Sequence, residues 1–123
     1  MKRKPVEEVI QEFEKAGETT YNATLKGDHK TNNKVGRQLK SLYMDFEKDR
    51  EYGYQCIDKL IESPSVIVRT DAAAYCLALS YRIDDAISVL EEIAEDPENG
   101  IFGFNAKMTL KVWREQGYLK IYQ

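Results

Sequence analysis

The sequence is poor in the residues from which metal and catalytic sites are usually built. Its 123 residues include one histidine, two cysteines and one tryptophan. A zinc site needs four Cys, His or acidic ligands at recognisable spacing, and His29, Cys56 and Cys76 do not supply them. No pattern around His29 resembles a Ser-His-Asp arrangement, so an exposed loop histidine is the simpler interpretation. We therefore expect no catalytic residue, no metal and no cofactor.

Long apolar runs are also missing. No segment approaches the ~20 apolar residues that span a bilayer. No apolar stretch follows the basic start Met-Lys-Arg-Lys, as a secretory signal would require. The cysteines lack Cys-x-x-Cys spacing, which favours buried thiols in a reducing cytosol over a disulfide. These features predict a cytoplasmic protein that contacts no membrane.

Phosphate-binding motifs are equally scarce. The segment Gly27-Asp28-His29-Lys30-Thr31 resembles the end of a P-loop, but a histidine precedes the lysine and the upstream glycine is missing. Lys34, Arg37 and Lys40 recur at near-helical spacing, yet the net charge of the chain is −3. A nucleic-acid-binding domain usually has a net positive charge. We therefore expect neither a nucleotide nor a nucleic acid as ligand.

The charges that are present are divided unevenly along the chain. Residues 1–50 carry eleven Lys and Arg against nine Asp and Glu, whereas residues 51–100 carry three against eleven and residues 101–123 four against one. The centre is therefore an acidic block between weakly basic ends. Such a block attracts basic proteins, although an ordinary solvated helix face is the simpler interpretation.

Helical periodicity runs through almost the whole chain, and no strand-like alternation is sustained. We predict one all-α domain over residues 1–123, long enough to bury a core without metal or disulfide. The predicted inward-facing residues of its six helices are, in chain order, Val6, Val9, Ile10, Phe13 and Ala16; Val35, Leu39, Leu42, Tyr43 and Phe46; Tyr52, Cys56, Ile57, Leu60 and Ile61; Val68, Ala72, Tyr75 and Leu79; Ala86, Ile87, Leu90, Ile93 and Ala94; and Phe104, Met108, Leu110, Val112 and Trp113.

Helix boundaries follow from polar residues, glycine and proline. Gly17 is expected to end the first helix or to make its continuation uneven, and the polar run 27–33 predicts a connection. Asp84 is a suitable N-cap for the fifth helix. The tail 118–122 alternates in polarity, so we expect it to fold back as an apolar strap.

The clearest architectural signal is the segment Leu60-Ile61-x-Ser-Pro64-Ser-x-x-Val68-Arg69-x-x-Ala72-Ala73. Pro64 stops one helix, and Ser63 or Ser65 can cap the next. The segment resembles the core of a HEAT repeat, and residues 103–114 are similar to a small bacterial HEAT-like family of uncharacterised function. The resemblance implies a protein-interaction domain without catalytic residues. We accordingly predict a short, irregular α-solenoid whose helices pack as hairpins.

The functional hypothesis is a protein that binds a basic partner through the acidic region 84–98, such as an immunity protein or antitoxin that neutralises a bacterial nuclease toxin. The predicted partner-binding residues are Asp84, Asp85, Glu91, Glu92, Glu95, Asp96, Glu98, Tyr81 and Arg82. The alternative is a scaffold or regulatory adaptor that uses apolar and tyrosine surface.

Tyr52 and Tyr54 flank Gly53 on opposite sides of a helix, so at most one of them is expected to point into the core.

Overall fold

The computed structural model describes residues 3–121. Within that range the chain is all-helical, as the periodicity predicts, and it forms six α-helices and one short 3₁₀ turn. The elements are α1 (Val6–Lys26), α2 (His29–Lys48), α3 (Arg50–Leu60), α4 (Val66–Leu79), α5 (Ile83–Glu95), the 3₁₀ turn Pro97–Asn99 and α6 (Ile101–Gln116). Consecutive helices pack against each other, and α4 additionally contacts α1 and α6.

The first helix does not end at Gly17, contrary to one of the two expectations. Gly17 is buried inside α1, where α1 crosses the start of α4. A Cβ atom at this position would lie 2.9 Å from Val68 Cγ2 and 3.0 Å from Ser65 Oγ. The glycine therefore permits a close approach between two helices and is not a stop signal.

The predicted connection over residues 27–33 is also wrong, because the connection between α1 and α2 is much shorter than predicted. Gly27 adopts a left-handed conformation (φ 71°) and ends α1, and Asp28 begins α2 by accepting a hydrogen bond from the Thr31 N–H. Because this cap satisfies the first turn, the following polar residues continue as helix, with their side chains largely exposed.

The corner between α3 and α4 is held by a small hydrogen-bonded network. Ser65 caps α4, as predicted, by accepting from the Val68 N–H. Ser63 is buried, and its Oγ donates to Glu14 on α1 at 3.1 Å. The Arg69 guanidinium donates to the Ser63 carbonyl oxygen at 2.8 Å. The residues that carry the HEAT-like resemblance therefore fix this corner onto α1.

The core lies where α1, α2, α3 and α4 meet. The predicted stripes of α2 and α4 are entirely buried, and those of α1, α3 and α5 are buried or packed against the core. The Phe13 and Phe46 rings stack at 6.1 Å, and the Tyr75 ring packs edge-on against both. Both cysteines are buried free thiols.

Two expectations about α5 and α6 are wrong. The N-cap of α5 is Arg82, in a left-handed conformation (φ 51°), and Asp84 lies two positions further along, in the first turn. On α6 the buried line is Gly103, Ala106 and Leu110, which brings that helix close to the Ile93 carbonyl. Small residues face the core here. In consequence Phe104 and Val112, which we expected to face inward, are exposed.

The tail folds back as predicted within the described residues. Leu119 and Ile121 pack against the core and border a cavity that includes Tyr43 and Ala78. Tyr122, the last residue of the predicted strap, lies outside the described residues.

Candidate interaction surfaces

The acidic face of α5 is the surface that the sequence pattern predicts. We define it as the five exposed carboxylates on the side of α5 opposite its buried residues: Asp84, Asp85, Glu91, Glu92 and Glu95. From position 84 to position 95 it extends about 16 Å along the helix axis, at 1.5 Å per residue. Asp96 and Glu98 follow and are also exposed. The Asp96 carboxylate accepts from the Glu98 N–H and so caps the 3₁₀ turn.

Basic residues neutralise part of this acidic face. Asp85 pairs with the Arg82 guanidinium at 2.9 Å, and Glu91 pairs with Arg114 on α6 at 3.2 Å. Two lysines of α6, Lys107 and Lys111, line a cavity between α5 and α6 that Glu91 and Glu95 also line. Among residues 3–121, Asp84, Glu92 and Glu95 have no ion-pair partner within 4 Å, and these three are the carboxylates most available to a partner.

Tyr81 and Arg82, the two predicted contact residues that precede α5, already make contacts within the chain. The Tyr81 hydroxyl donates to the Asp58 carboxylate at 2.7 Å, and this hydrogen bond, together with burial, raises the pKa of Tyr81 to about 12. Arg82 bridges Asp58 and Asp85. Both side chains are half-buried, and they connect the end of α4 to α3 and α5.

The tyrosines on either side of Gly53 are both half-buried. The Tyr54 ring stacks on Tyr81 at 3.8 Å, and the Tyr52 hydroxyl donates to the Lys4 carbonyl oxygen at 2.8 Å. Tyr52 also packs edge-on against Phe46. Neither ring fully enters the core, in agreement with the expectation that at most one does.

A second surface, which the sequence pattern does not predict, is a groove along α4 with α1 and α6 as its walls. We call it the α4 groove. It consists of two adjoining cavities that share Ile67 and Phe102. The outer cavity, of about 440 Å³, lies at the start of α4, and the inner cavity, of about 240 Å³, lies one helical turn further along.

Apolar side chains dominate the outer cavity. Tyr21 on α1 stacks on Phe102 of α6 at 5.4 Å across it, while Leu25 and Ile101 leave more than half of their surface exposed. Its rim is acidic because Glu14, Glu18 and Glu98 also line it. The same segment that contributes Glu98 to the predicted acidic region therefore places that carboxylate at the groove.

The inner cavity contains the Asp71 side chain. Burial against α1 and α6 raises the pKa of this carboxyl from an ordinary 3.8 to about 7. Within residues 3–121, no hydrogen-bond or ion-pair partner for the carboxylate is found. The other polar residues of the cavity are four threonines and an asparagine: Thr20, Thr24, Thr70, Thr109 and Asn105. Asp71 is therefore a half-buried, unpaired acid in a polar cavity, and such groups mark functional sites more often than ordinary ones do.

The sequence does contain a feature that could have identified Asp71 as a candidate functional residue. It is the one acid in α4, a helix of otherwise apolar and small residues apart from Arg69 and Thr70. A charge inside such a helix has to be explained by a partner or by a site. The partner was not visible from local sequence, because the walls of the groove come from residues at least 30 positions away on α6 and 45 or more on α1.

His29 lies at the first position of α2 and is exposed. No hydrogen bond to its imidazole is found within the described part of the chain. No group of three or more His, Cys, Asp and Glu residues between positions 3 and 121 is placed so that it could hold a metal ion. None of the six helices combines the length and the apolarity needed to cross a bilayer.

Compared with known proteins, the chain matches no protein-family model, no curated sequence and no solved structure. The surfaces described above therefore have to be interpreted from their own chemistry.

Proposed function

We propose that the chain is a non-catalytic protein-interaction module that binds a basic protein through the acidic face of α5. The observation that supports the proposal is a set of three exposed carboxylates on one helix, Asp84, Glu92 and Glu95, for which the described part of the chain supplies no ion-pair partner. An acidic surface of this kind accelerates encounter with a basic partner and fixes its orientation.

A nuclease toxin is the partner class that fits this surface best. A nuclease binds phosphates with clustered lysines and arginines, and the same side chains can pair with carboxylates arranged along a helix. A protein that covers such a cluster prevents the nucleic acid from binding. The chain would then act as an immunity protein or antitoxin, the function expected from the HEAT-like resemblance combined with the acidic centre.

The test is a binding measurement with a panel of catalytically inactive, basic nuclease-toxin domains. The variant combines Asp84→Lys, Glu92→Lys and Glu95→Lys. The matched control combines Glu8→Lys, Glu47→Lys and Glu51→Lys, which makes the same change in net charge at exposed positions elsewhere. Association rates are measured by stopped flow at 50 and 300 mM NaCl, since steering by charge weakens as salt screens it.

We expect association of the wild type to slow at least tenfold with salt, and the α5 variant to lose a similar factor at low salt. The control variant should stay within about threefold of the wild type. The proposal fails if no domain of the panel binds, or if the α5 and control variants behave alike.

The second candidate function is an adaptor whose main contact is apolar. It is favoured by the α4 groove, where Tyr21, Leu25 and Ile101 are exposed beside one another. Contiguous exposed apolar surface often marks a protein-binding site. A partner held in this way should show affinity that changes less than threefold between 50 and 300 mM NaCl, which separates the adaptor from the immunity protein.

A further inference from the structure

We infer that the α4 groove is a second binding site, which takes a segment of a partner protein carrying a lysine or arginine about one helical turn from a large apolar side chain. The inference goes beyond the proposed immunity function, because the groove and the α5 carboxylates Asp84, Glu92 and Glu95 share no residue. It deepens the second candidate, the adaptor, by naming the chemistry of the segment that the groove would take.

Charge complementarity specifies a cationic ligand. Four acids line the two cavities, Asp71 inside and Glu14, Glu18 and Glu98 at the rim, and among residues 3–121 no lysine or arginine lines either cavity. The charged side chains that line the two cavities are therefore all acidic, which favours a negative potential in the groove. Low-dielectric walls on both sides focus that field, which raises the local concentration of cations.

The polar atoms of the inner cavity can accept more hydrogen bonds than they can donate. Thr70 and Thr109 each donate their hydroxyl hydrogen to a carbonyl of their own helix, Val66 and Asn105 respectively, so that their oxygens retain lone pairs. The Asp71 carboxylate, when ionised, is an acceptor only. A ligand with several N–H donors, such as an ammonium or guanidinium group, fits this set, and repulsion by the ionised Asp71 carboxylate disfavours an anion.

A small metal ion is a poorer occupant of the same cavity. Calcium binds through six to eight oxygen ligands, often several of them carboxylates, and Asp71 is the one carboxylate of the inner cavity. A long side chain with a terminal cation needs a single carboxylate and an apolar wall for its methylene groups. Ile67, Ala74 and Phe102 provide that wall.

The outer cavity provides the second part of the recognition. Its apolar surface and its volume suit one large aliphatic or aromatic side chain beside the Tyr21–Phe102 pair. Ile67 and Asp71 are four positions apart on α4, about 6 Å along the axis at 1.5 Å per residue. The apolar and the cationic group of the ligand must be separated by a similar distance.

A protein segment is the occupant that spans both cavities. The floor of the groove runs from Ser65 to Ala74, about 14 Å at the helical rise, which matches four extended residues or two to three helical turns. Helix-in-groove recognition places anchor residues three or four positions apart, in agreement with the spacing deduced above.

The test begins with selection of 12-residue peptides from a phage-displayed random library against the wild-type chain. Dissociation constants of the synthetic peptides are then measured by fluorescence anisotropy at pH 7.5. The protein variants are Asp71→Asn, which keeps the shape of the side chain, and Phe102→Ala. The control is Glu92→Gln on α5, which removes an equal charge outside the groove. Circular dichroism establishes that each variant is folded.

We expect the selected peptides to share a lysine or arginine three or four positions from a large apolar residue. Asp71→Asn should weaken binding at least tenfold, and so should replacement of the peptide's basic residue by norleucine. Glu92→Gln should change the affinity less than twofold. A library without binders, a consensus without a basic residue, or unchanged affinity of Asp71→Asn overturns the inference.

The two proposals fail separately. The α5 triple variant should abolish steering by a basic partner and still bind the groove peptide, and Asp71→Asn should do the reverse. If substitution on one surface leaves the activity assigned to that surface unchanged, that surface has been assigned wrongly, and the result does not affect the other proposal.

Discussion

Asp71 should make the stability of the fold depend on pH in the direction opposite to that of an ordinary ion-paired aspartate. Its folded-state pKa of about 7 lies above the unfolded value of 3.8, so between these two values the folded chain binds more protons than the unfolded chain. Stability is therefore lost as the pH rises through this window. The substitution Asp71→Asn removes the titration and keeps the size of the side chain.

The magnitude follows from the size of the shift. A difference of three pKa units corresponds to roughly 4 kcal/mol, at about 1.4 kcal/mol per unit. Since the carboxyl borders an open cavity and is partly exposed, water screens the ionised form and reduces this value. We expect Asp71→Asn to raise the free energy of unfolding by about 1–3 kcal/mol at pH 8, and by less than about 0.5 kcal/mol at pH 4.

The assay is urea denaturation followed by circular dichroism at 222 nm, for the wild type and the variant, at half-unit steps from pH 4 to pH 8. The informative quantity is the difference between the two curves, because every other carboxylate contributes equally to both. Glu92→Gln, at an exposed position, serves as the control and should give a flat difference. Parallel pH profiles for the wild type and Asp71→Asn would refute the argument that burial raises the pKa of this carboxyl.

Three further predictions concern packing, the α3–α4 corner and the thiols. Gly17→Ala should lower the free energy of unfolding by about 1–3 kcal/mol, because its Cβ would lie 2.9 Å from a methyl group of α4. In the same denaturation assay Gly36→Ala, with no atom within 4 Å of the added Cβ, should be neutral or stabilising by up to about 1 kcal/mol, and equal effects would contradict the crossing. Arg69→Ala should cost about 1–3 kcal/mol in thermal or urea unfolding, since it removes a charged hydrogen bond to a buried corner; an effect below about 0.5 kcal/mol would contradict this. Cys56 and Cys76, whose pKa values burial raises to about 11 and about 12, should react with Ellman's reagent at pH 8 only after unfolding, and rapid labelling of the native chain would contradict their burial.

The parts of the fold that could be predicted are the helices whose buried face is marked by large apolar residues at helical spacing. On α2, Val35, Leu39 and Phe46 recur at helical spacing against a polar background, and all three are buried. On α6 the same reasoning is right for Leu110 and Trp113 and wrong for Phe104 and Val112, because the rest of the buried line consists of Gly103 and Ala106. Small residues permit helices to approach closely, but a search for a stripe of hydrophobic residues does not detect glycine and alanine positions of this kind.

The acidic face of α5 and the α4 groove differ in predictability for a related reason. A surface on a single helix follows from spacing alone, so the exposure of Glu92 and Glu95 could be predicted. The groove depends on three helices meeting, and the identity of its walls is a long-range property. The unpaired acid in α4, Asp71, was the one local sign of it.

The crossing at Gly17 has a consequence for the width of the groove. Gly17 lines the outer cavity and is also the point at which α1 touches α4. The missing side chain therefore determines two quantities together: how closely the wall approaches the floor, and how much room remains for a guest. A methyl group added there would act as a wedge between the helices and as an obstruction in the cavity. A substitution at Gly17 would therefore change both the packing of α1 against α4, and with it the stability of the fold, and the volume of the outer cavity that the proposed ligand would occupy.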